Sequence, residues 1–340
     1  MKAVVYEAPR RFGVVEVPTP DPGPGEVRLR VLQTGVCGTD LHLHEGRFMA
    51  AYPMTPRHET VGIVDAVGGD VRGLVAGQRV TVNPNASCGR CEYCREGRPL
   101  LCDALTGIGS NLPGGFAEYV VAPAGQVFPV DGLDDDTAVF SEPTSCAAHA
   151  IDVIRPRHGS TALVLGAGPT GILLAQLLRA SGVAEVTVAA PTAFKLRTAT
   201  ALGADRTYLM DRGDLPGDVR RLRDLTGGSG YDLVVDATGA AAVAEVLVPL
   251  TRNGGTCVFY GVTAEEDRVA ISPYDVFRRE LTIKGSFAEI SSFPAALAAL
   301  RAGRARTDGL ITHRFGLGDY GLALETLRSD RTAHKVVVVL

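Results

Sequence analysis

Two textures of hydrophobic and polar positions divide the chain. From residue 1 to about 150, short Val-rich runs such as Glu26-Val27-Arg28-Leu29-Arg30-Val31 and Gly77-Gln78-Arg79-Val80-Thr81-Val82 are separated by glycine and proline clusters. That is the pattern of short strands joined by tight turns. The segment Pro18 to Gly25, with four prolines and two glycines, reads as a turn-rich connection. From Ser160 the texture changes. The apolar run Thr161-Ala162-Leu163-Val164-Leu165 ends in glycines and is followed by the helical pattern Ile172 to Leu178; Glu185-Val186-Thr187-Val188-Ala189 precedes a helix through Lys195 to Leu202. The alternation continues through Tyr231 to Asp236, an Ala-rich helix over 240–250, and Thr256 to Tyr260. Buried strands alternating with helices predict a parallel sheet covered on both faces, a doubly wound nucleotide-binding domain. After about residue 288 the pattern gives a Pro/Ala/Leu helix, a second helix around 318–329 and a strand over Lys335-Val336-Val337-Val338-Val339-Leu340, which is expected to return and complete the N-terminal domain.

Length agrees with this division, since 340 residues exceed one ordinary domain. A net charge of −4 without a Lys/Arg block gives a nucleic-acid backbone nothing to bind, so no nucleic-acid partner is expected. The start of the chain meets Glu7 and Pro9 before an apolar stretch of signal-peptide length develops, and no run approaches the roughly 18 apolar residues of a membrane span. A cytoplasmic protein with no membrane partner is the expectation. Seven cysteines in such a chain point to metal or catalytic use rather than disulfides.

Four of the cysteines, Cys88, Cys91, Cys94 and Cys102, lie in one short stretch. Four thiolates on one loop suit the closed tetrahedral shell of a structural zinc. A second, scattered constellation comprises Cys37 in Gly35-Val36-Cys37-Gly38-Thr39-Asp40-Leu41-His42, the pair His58-Glu59, and Glu142 in Ser141-Glu142-Pro143. Thiolate, imidazole and carboxylate also suit zinc, and three firm ligands would leave a position open for chemistry. Taken singly, each has a structural reading: a small core cysteine, a satisfied buried imidazole, a charge at a helix start.

Gly166-Ala167-Gly168-Pro169-Thr170-Gly171 is a G-x-G-x-x-G that follows a predicted strand and opens a predicted helix, the context of a dinucleotide-binding turn. The next strand ends in Ala190 rather than an acid. That removes the group that would hydrogen-bond the ribose 2′-hydroxyl of NAD and repel a 2′-phosphate, and it leaves Thr192, Lys195 and Arg197 to meet a phosphate. NADP is therefore favoured over NAD, although Pro191 stands where NADP enzymes often carry arginine. Thr238 and Gly261 are counted with the same site.

The order of these segments, from Cys37-Gly38-Thr39-Asp40 through the four-cysteine loop, Glu142-Pro143 and the glycine turn to Ile311-Thr312-His313-Arg314-Phe315, resembles the zinc-dependent medium-chain dehydrogenase/reductase superfamily, in particular its sorbitol (polyol) dehydrogenase branch. The resemblance implies an α/β protein: a β-rich GroES-like catalytic domain over 1–150, completed by 288–340, and a Rossmann domain over 151–287. It implies two zinc ions per chain. Residues matching Cys37, His58 and Glu59 surround the catalytic one, and the residue matching Glu142 binds it or holds its water. It also implies that Thr39 and His42 relay a proton, that the substrate is a small secondary alcohol or polyol oxidised to a ketone or ketose, and that the chain forms a homodimer or homotetramer.

Two positions depart from the branch. Arg57 replaces the glycine that normally precedes the His-Glu pair, and Ala288 falls where polyol relatives place a substrate-gripping arginine, with Glu289 beside it as a polar substitute. The Gly38 to His42 stretch also looks like threonine dehydrogenase, which would oxidise an amino-acid hydroxyl. An NADP-sensing binding protein without turnover is the reading from outside the enzymes, and the Cys37/His58/Glu59 set argues against it.

Overall fold

The computed structural model describes residues 1–47 and 50–340. They fall into two compact units: Met1–Ser145 with Glu289–Arg301 and Leu310–Leu340, and Cys146–Ala288 with Ala302–Gly309.

The first unit opens with an antiparallel hairpin of β1 (Lys2–Ala8) and β2 (Arg11–Glu16). It continues through β3 (Glu26–Val36), α1 (Gly38–His44), β4 (Thr60–Val67), β5 (Arg79–Val82), β6 (Asn85–Ala86), α2 (Glu92–Arg95), β7 (Thr106–Gly107), β8 (Tyr119–Pro123), β9 (Val127–Pro129), α3 (Asp135–Ala138) and the start of α4 (Ser141–Ile154). Alternation places Val27, Leu29 and Val31 of β3 on one buried face, where they meet Val64, Val80, Val82, Ile108 and Val120. The antiparallel pair β6/β7 closes the base of the segment that carries the four cysteines.

The second unit is built on six parallel strands. Its elements are β10 (Thr161–Leu165), α5 (Pro169–Ala180), β11 (Glu185–Ala190), α6 (Ala193–Ala201), β12 (Arg206–Leu209), α7 (Leu215–Asp224), β13 (Tyr231–Asp236), α8 (Ala241–Glu245), α9 (Leu247–Leu250), β14 (Thr251–Phe259), α10 (Pro273–Arg278) and β15 (Thr282–Gly285). The strand order β12-β11-β10-β13-β14-β15 makes this a doubly wound sheet whose direction of winding reverses between β10 and β13. The Ala-rich stretch 240–250, expected as one helix, is two short ones. Pro249 has no N–H to give the carbonyl of Glu245, so the first helix stops there.

The chain then returns through α11 (Phe293–Arg301), β16 (Ile311–Gly316), α12 (Tyr320–Ser329) and β17 (Lys335–Val339). Strand β17 runs parallel to β16 and antiparallel to β3, giving the sheet order β16-β17-β3-β4-β5-β9. Residues 302–309 cluster with the second unit, where Gln176 exchanges hydrogen bonds with the Arg306 backbone at 2.8 and 3.0 Å. Among the described residues, no helix is long and apolar enough to cross a membrane.

Candidate metal and cofactor sites

Strand β3 ends at Val36, and the turn into α1 brings Cys37 to the N-cap of that helix. The Asp40 carboxylate reaches back to accept the Cys37 N–H at 2.9 Å, which fixes the thiol at the strand end. His58 and Glu59 come from the segment entering β4, and they meet Cys37 because β3 and β4 pair antiparallel. The result is a compact set. Cys37 Sγ lies 3.2 Å from His58 Nε2. One ligand atom each from Cys37, His58 and Glu59 falls within 4.8 Å of the others.

A tetrahedral shell with bonds of roughly 2.0–2.3 Å puts neighbouring ligand atoms roughly 3.3–3.8 Å apart, so the Cys37 and His58 atoms, at 3.2 Å, sit just short of the spacing that zinc requires. The electrostatics agree. Burial, reinforced by Arg57, lowers the His58 pKa and keeps the imidazole neutral, the form that ligates a metal. Burial and Asp40 raise the Cys37 thiol, a proton that a dication would displace. Glu142 lies in the first turn of α4; burial raises its carboxyl, His58 opposes this, and Glu59 and Cys37 add to it. Burial would also raise Glu59, but Arg57 and Lys335 outweigh it and hold that carboxyl at about 2.

Thr39 and His42 stand three residues apart on α1, hence on one face of the helix. His42 is half-buried, and burial followed by Arg47 lowers its pKa. Its neighbour His44 serves elsewhere, with Nδ1 3.0 Å from the hydroxyl of Tyr6, which in turn lies 3.1 Å from that of Tyr320.

The sulfurs of Cys88, Cys91, Cys94 and Cys102 also gather within 4.8 Å of one another, the geometry of a closed four-thiolate shell. The amides of Arg90 and Cys91 lower the Cys88 thiol to about 6, so it is ready to ionise for a metal. The Cys88 N–H itself points at Cys102 Sγ, 3.2 Å away. Both metal sets fit zinc by donor chemistry and spacing.

In the second unit the remaining candidates gather at the carboxyl ends of the parallel strands. Gly166 follows β10 with φ +119, a left-handed geometry suited to glycine, and Gly168 caps α5 with Pro169, Thr170 and Gly171 in the first turn. A Cβ on Gly171 would lie 2.3 Å from the Gly166 carbonyl oxygen, so the turn closes only with glycine there. Ala190 ends β11 and is buried; Thr192 caps α6, whose first turn carries no acidic residue. Lys195 and Arg197 follow within α6, the Arg197 guanidinium lying 5.8 Å from the centre of the Phe194 ring. Thr238 follows β13 and Gly261 follows β14, and a Cβ on Gly261 would come within 2.2 Å of the Gly239 nitrogen. Gly166 and Thr238 thus flank the β10/β13 reversal, where open α/β sheets bind their ligands.

Three residues with roles in this geometry were not singled out by sequence reasoning. Asp236 accepts from the Thr238 N–H at 2.8 Å and its hydroxyl at 2.6 Å, fixing that turn. Asp40 anchors Cys37. Lys335 binds both oxygens of Glu59 at 2.7–2.8 Å. The one signal for Lys335 was a cation heading a run of four valines. Of the two departures, Arg57 is fully buried and ion-paired with Asp40 at 2.7 Å and Glu59 at 2.8 Å, while Ala288 takes a left-handed φ of +46. Glu289 is fully buried; its Oε1 accepts from Asn85 at 3.3 Å, and burial, then Glu142, push its carboxyl up to about 8.

Comparison with known proteins adds an independent line. Residues 23–132 match the alcohol dehydrogenase GroES-like domain, and residues 169–302 match the zinc-binding dehydrogenase domain. The chain is 40% identical to D-arabinitol dehydrogenase 1 of Uromyces fabae over 99% of its own length and 97% of that protein's. Among solved structures it superposes with a TM-score of 0.92 and 34% identity on a chain described as a zinc-binding dehydrogenase of Sinorhizobium meliloti 1021 bound to NADP, covering 100% of this chain and 99% of that one. It superposes with a TM-score of 0.91 and 30% identity on a short chain alcohol dehydrogenase of Escherichia coli CFT073 complexed with NADH, at the same coverages. With the two metal-ready clusters and the doubly wound sheet, these matches establish that the chain belongs to the zinc-dependent medium-chain dehydrogenase/reductase superfamily, in its polyol dehydrogenase branch.

Proposed function

We propose that this enzyme oxidises a secondary alcohol or polyol to the ketone or ketose, and catalyses the reverse, with NADP as hydride acceptor. The observation that carries the reading is the half-buried Cys37–His58 pair close to zinc spacing, with Glu59 beside it, in a chain whose second unit holds a dinucleotide turn. Cys37, His58 and an acidic neighbour would hold the catalytic zinc, and Cys88, Cys91, Cys94 and Cys102 a structural one. When bound, the catalytic zinc supplies Lewis acidity toward the substrate oxygen. The protein's own groups handle the proton. The Thr39 hydroxyl takes it from the substrate hydroxyl and passes it toward His42, whose lowered pKa keeps it neutral and able to accept at neutral pH. The nicotinamide, when bound, would supply the hydride acceptor. The Gly166–Gly171 turn would hold the pyrophosphate, and Thr192, Lys195 and Arg197 would meet the ribose phosphate.

A screen of sugar alcohols, simple secondary alcohols and threonine with NADP and NAD, with zinc quantified in the same sample, tests the proposal. Turnover of polyols, faster with NADP, and two zinc ions per chain are expected. A large preference for NAD removes the ribose-phosphate assignment, and threonine as best substrate replaces the substrate class. Thr39→Val is expected to lower turnover by about 10²–10⁴-fold with zinc content unchanged; near-normal turnover takes Thr39 out of the relay.

The same reading places a two-fold interface on the second unit. Strand β15 is an edge of its sheet, and Tyr274, Phe277 and Ile283 on or near it are exposed. Sedimentation should show a dimer or tetramer; a monomer at micromolar concentration refutes it. Free thiols arranged for metal suit the reducing cytoplasm, where we place the enzyme.

A further inference from the structure

Helix α1 has seven residues, Gly38–His44, and carries Thr39 and His42. A helix so far below the roughly 12–15 residues at which one becomes stable by itself takes its place from what holds its ends. At the N-terminal end, Asp40 accepts the Cys37 N–H at 2.9 Å. The C-terminal end is held from the other side. His44 stands two positions after His42, about 200° further round the helix, so it faces away from the side that carries Thr39 and His42. There its Nδ1 lies 3.0 Å from the hydroxyl of Tyr6 in β1, and that hydroxyl lies 3.1 Å from the hydroxyl of Tyr320 in α12. The backbone of the same end is clasped as well: the Arg10 N–H donates to the His44 carbonyl at 2.9 Å, and the Tyr52 hydroxyl donates to the Leu43 carbonyl.

The chain of hydroxyls and imidazole has a direction. Tyr6 and Tyr320 are both buried, in an apolar cluster with Leu43, Phe116 and Phe12. Among the described residues the Tyr320 hydroxyl has one hydrogen-bond partner, Tyr6. If His44 Nδ1 carried a proton it would donate to Tyr6, Tyr6 would donate to Tyr320, and the Tyr320 proton would be buried without an acceptor. The reverse direction satisfies every group. Tyr320 donates to Tyr6, Tyr6 donates to Nδ1, and His44 is the neutral tautomer with its proton on Nε2. The surroundings keep the chain in that state. Burial raises both phenols, so they remain donors, and burial lowers His44; Glu45 opposes this, while Arg10 and Arg328 add to it.

We propose that His44 is a positioning residue: as the acceptor that ends the Tyr320–Tyr6–His44 chain, it fixes the register of α1 against β1 and α12 and so holds Thr39 and His42 where a proton can pass between them. This deepens the reading of Thr39 and His42 as the relay and rests on it. The chain joins three elements whose residues lie 38 and 314 positions apart in sequence. Apolar packing alone would let so short a helix slide or turn by small amounts, because it is not directional, whereas hydrogen bonds at His44 set both distance and angle. A proton relay is sensitive to such amounts, since a displacement of about 1 Å costs about a hundredfold in a step that needs aligned groups. Binding of substrate and cofactor uses other residues, so the effect falls on kcat and leaves KM.

Steady-state kinetics, with zinc content and unfolding midpoint measured on the same full-length samples, test this for wild type, Thr39→Val, His44→Leu, His44→Asn, Tyr6→Phe and the double variant Thr39→Val/His44→Leu. His44→Leu and Tyr6→Phe should each lower kcat about 10–100-fold, with KM within about threefold of wild type and zinc unchanged. His44→Asn puts an amide oxygen acceptor in the place of Nδ1 and should retain at least about a third of wild-type kcat. The double variant should be no slower than Thr39→Val, because a residue that acts through the relay has nothing left to act on once the relay is gone; a general loss of structure would multiply instead. His44→Leu and Tyr6→Phe remove the same hydrogen bond, so either carries the test if the other fails to fold. Near-normal kcat in both overturns the inference. So does His44→Asn as slow as His44→Leu, or a double variant slowed by the product of the two single losses. Near-normal turnover in Thr39→Val removes the relay itself, and this inference falls with it.

Discussion

His58→Ala is expected to lower kcat/KM for alcohol oxidation by at least roughly three orders of magnitude, about 4 kcal/mol, with one zinc per chain retained. The imidazole supplies one of the two ligand atoms already close to metal spacing, 3.2 Å from Cys37 Sγ. An alanine leaves a half-buried thiol and a carboxylate with a gap between them, too few donors for a firm shell. The four-cysteine loop is a separate cluster from another part of the chain, so its metal should stay. Steady-state kinetics and metal analysis on one sample give the answer. A variant that keeps two zinc ions and more than a tenth of wild-type activity would show that the pair does not hold the reactive metal. A fall in activity accompanied by loss of both metals would point to collapse of the unit rather than to the ligand.

Arg57→Met should lower the unfolding free energy of the first unit by about 3–5 kcal/mol, the usual cost of stranding a buried ion-pair partner. Arg57, Asp40 and Glu59 are all at most 2% exposed, so water cannot replace the guanidinium. Methionine keeps most of the volume and the strain of the Arg57 backbone at φ +110, so the loss isolates the charge. Arg57→Gly removes the same charge and also relieves a backbone geometry that costs about 1–3 kcal/mol, so it should be the milder of the two. Denaturant unfolding of both variants tests the ranking. If Arg57→Met were as stable as wild type, the buried triad would contribute nothing, and equal losses in the two variants would mean that φ +110 is not strained.

The elements most legible in the sequence are those whose geometry is set within a few residues. The strand–glycine–helix order around Gly166 needs only the local turn, and it was readable from the apolar run before it and the helical spacing after it. The four cysteines span one short segment, so their spacing alone described a shell. Even there, local reasoning had limits. The stretch 240–250 read as one helix because alanine dominates it, and Pro249 divided it.

Cys37, His58 and Glu142 had unremarkable readings one by one, because nothing local to any of them reveals the others. The meeting of Cys37 with His58 follows from the antiparallel pairing of β3 with β4, whereas Glu142 comes from α4. The surroundings of Glu59 lay further out of reach: Lys335 is 276 residues away and arrives only because β17 inserts between β16 and β3. Arg57 stood out as an oddity before His58, but its partners and its buried setting depend on Asp40, Phe116 and two glycines from other segments. Backbone turns and short-range spacing are properties of neighbouring residues, so the sequence alone determines them. Burial and ion pairing are properties of whichever segments the sheet brings together, and for this protein the tertiary structure alone decided which charges surround the metal-ready pair.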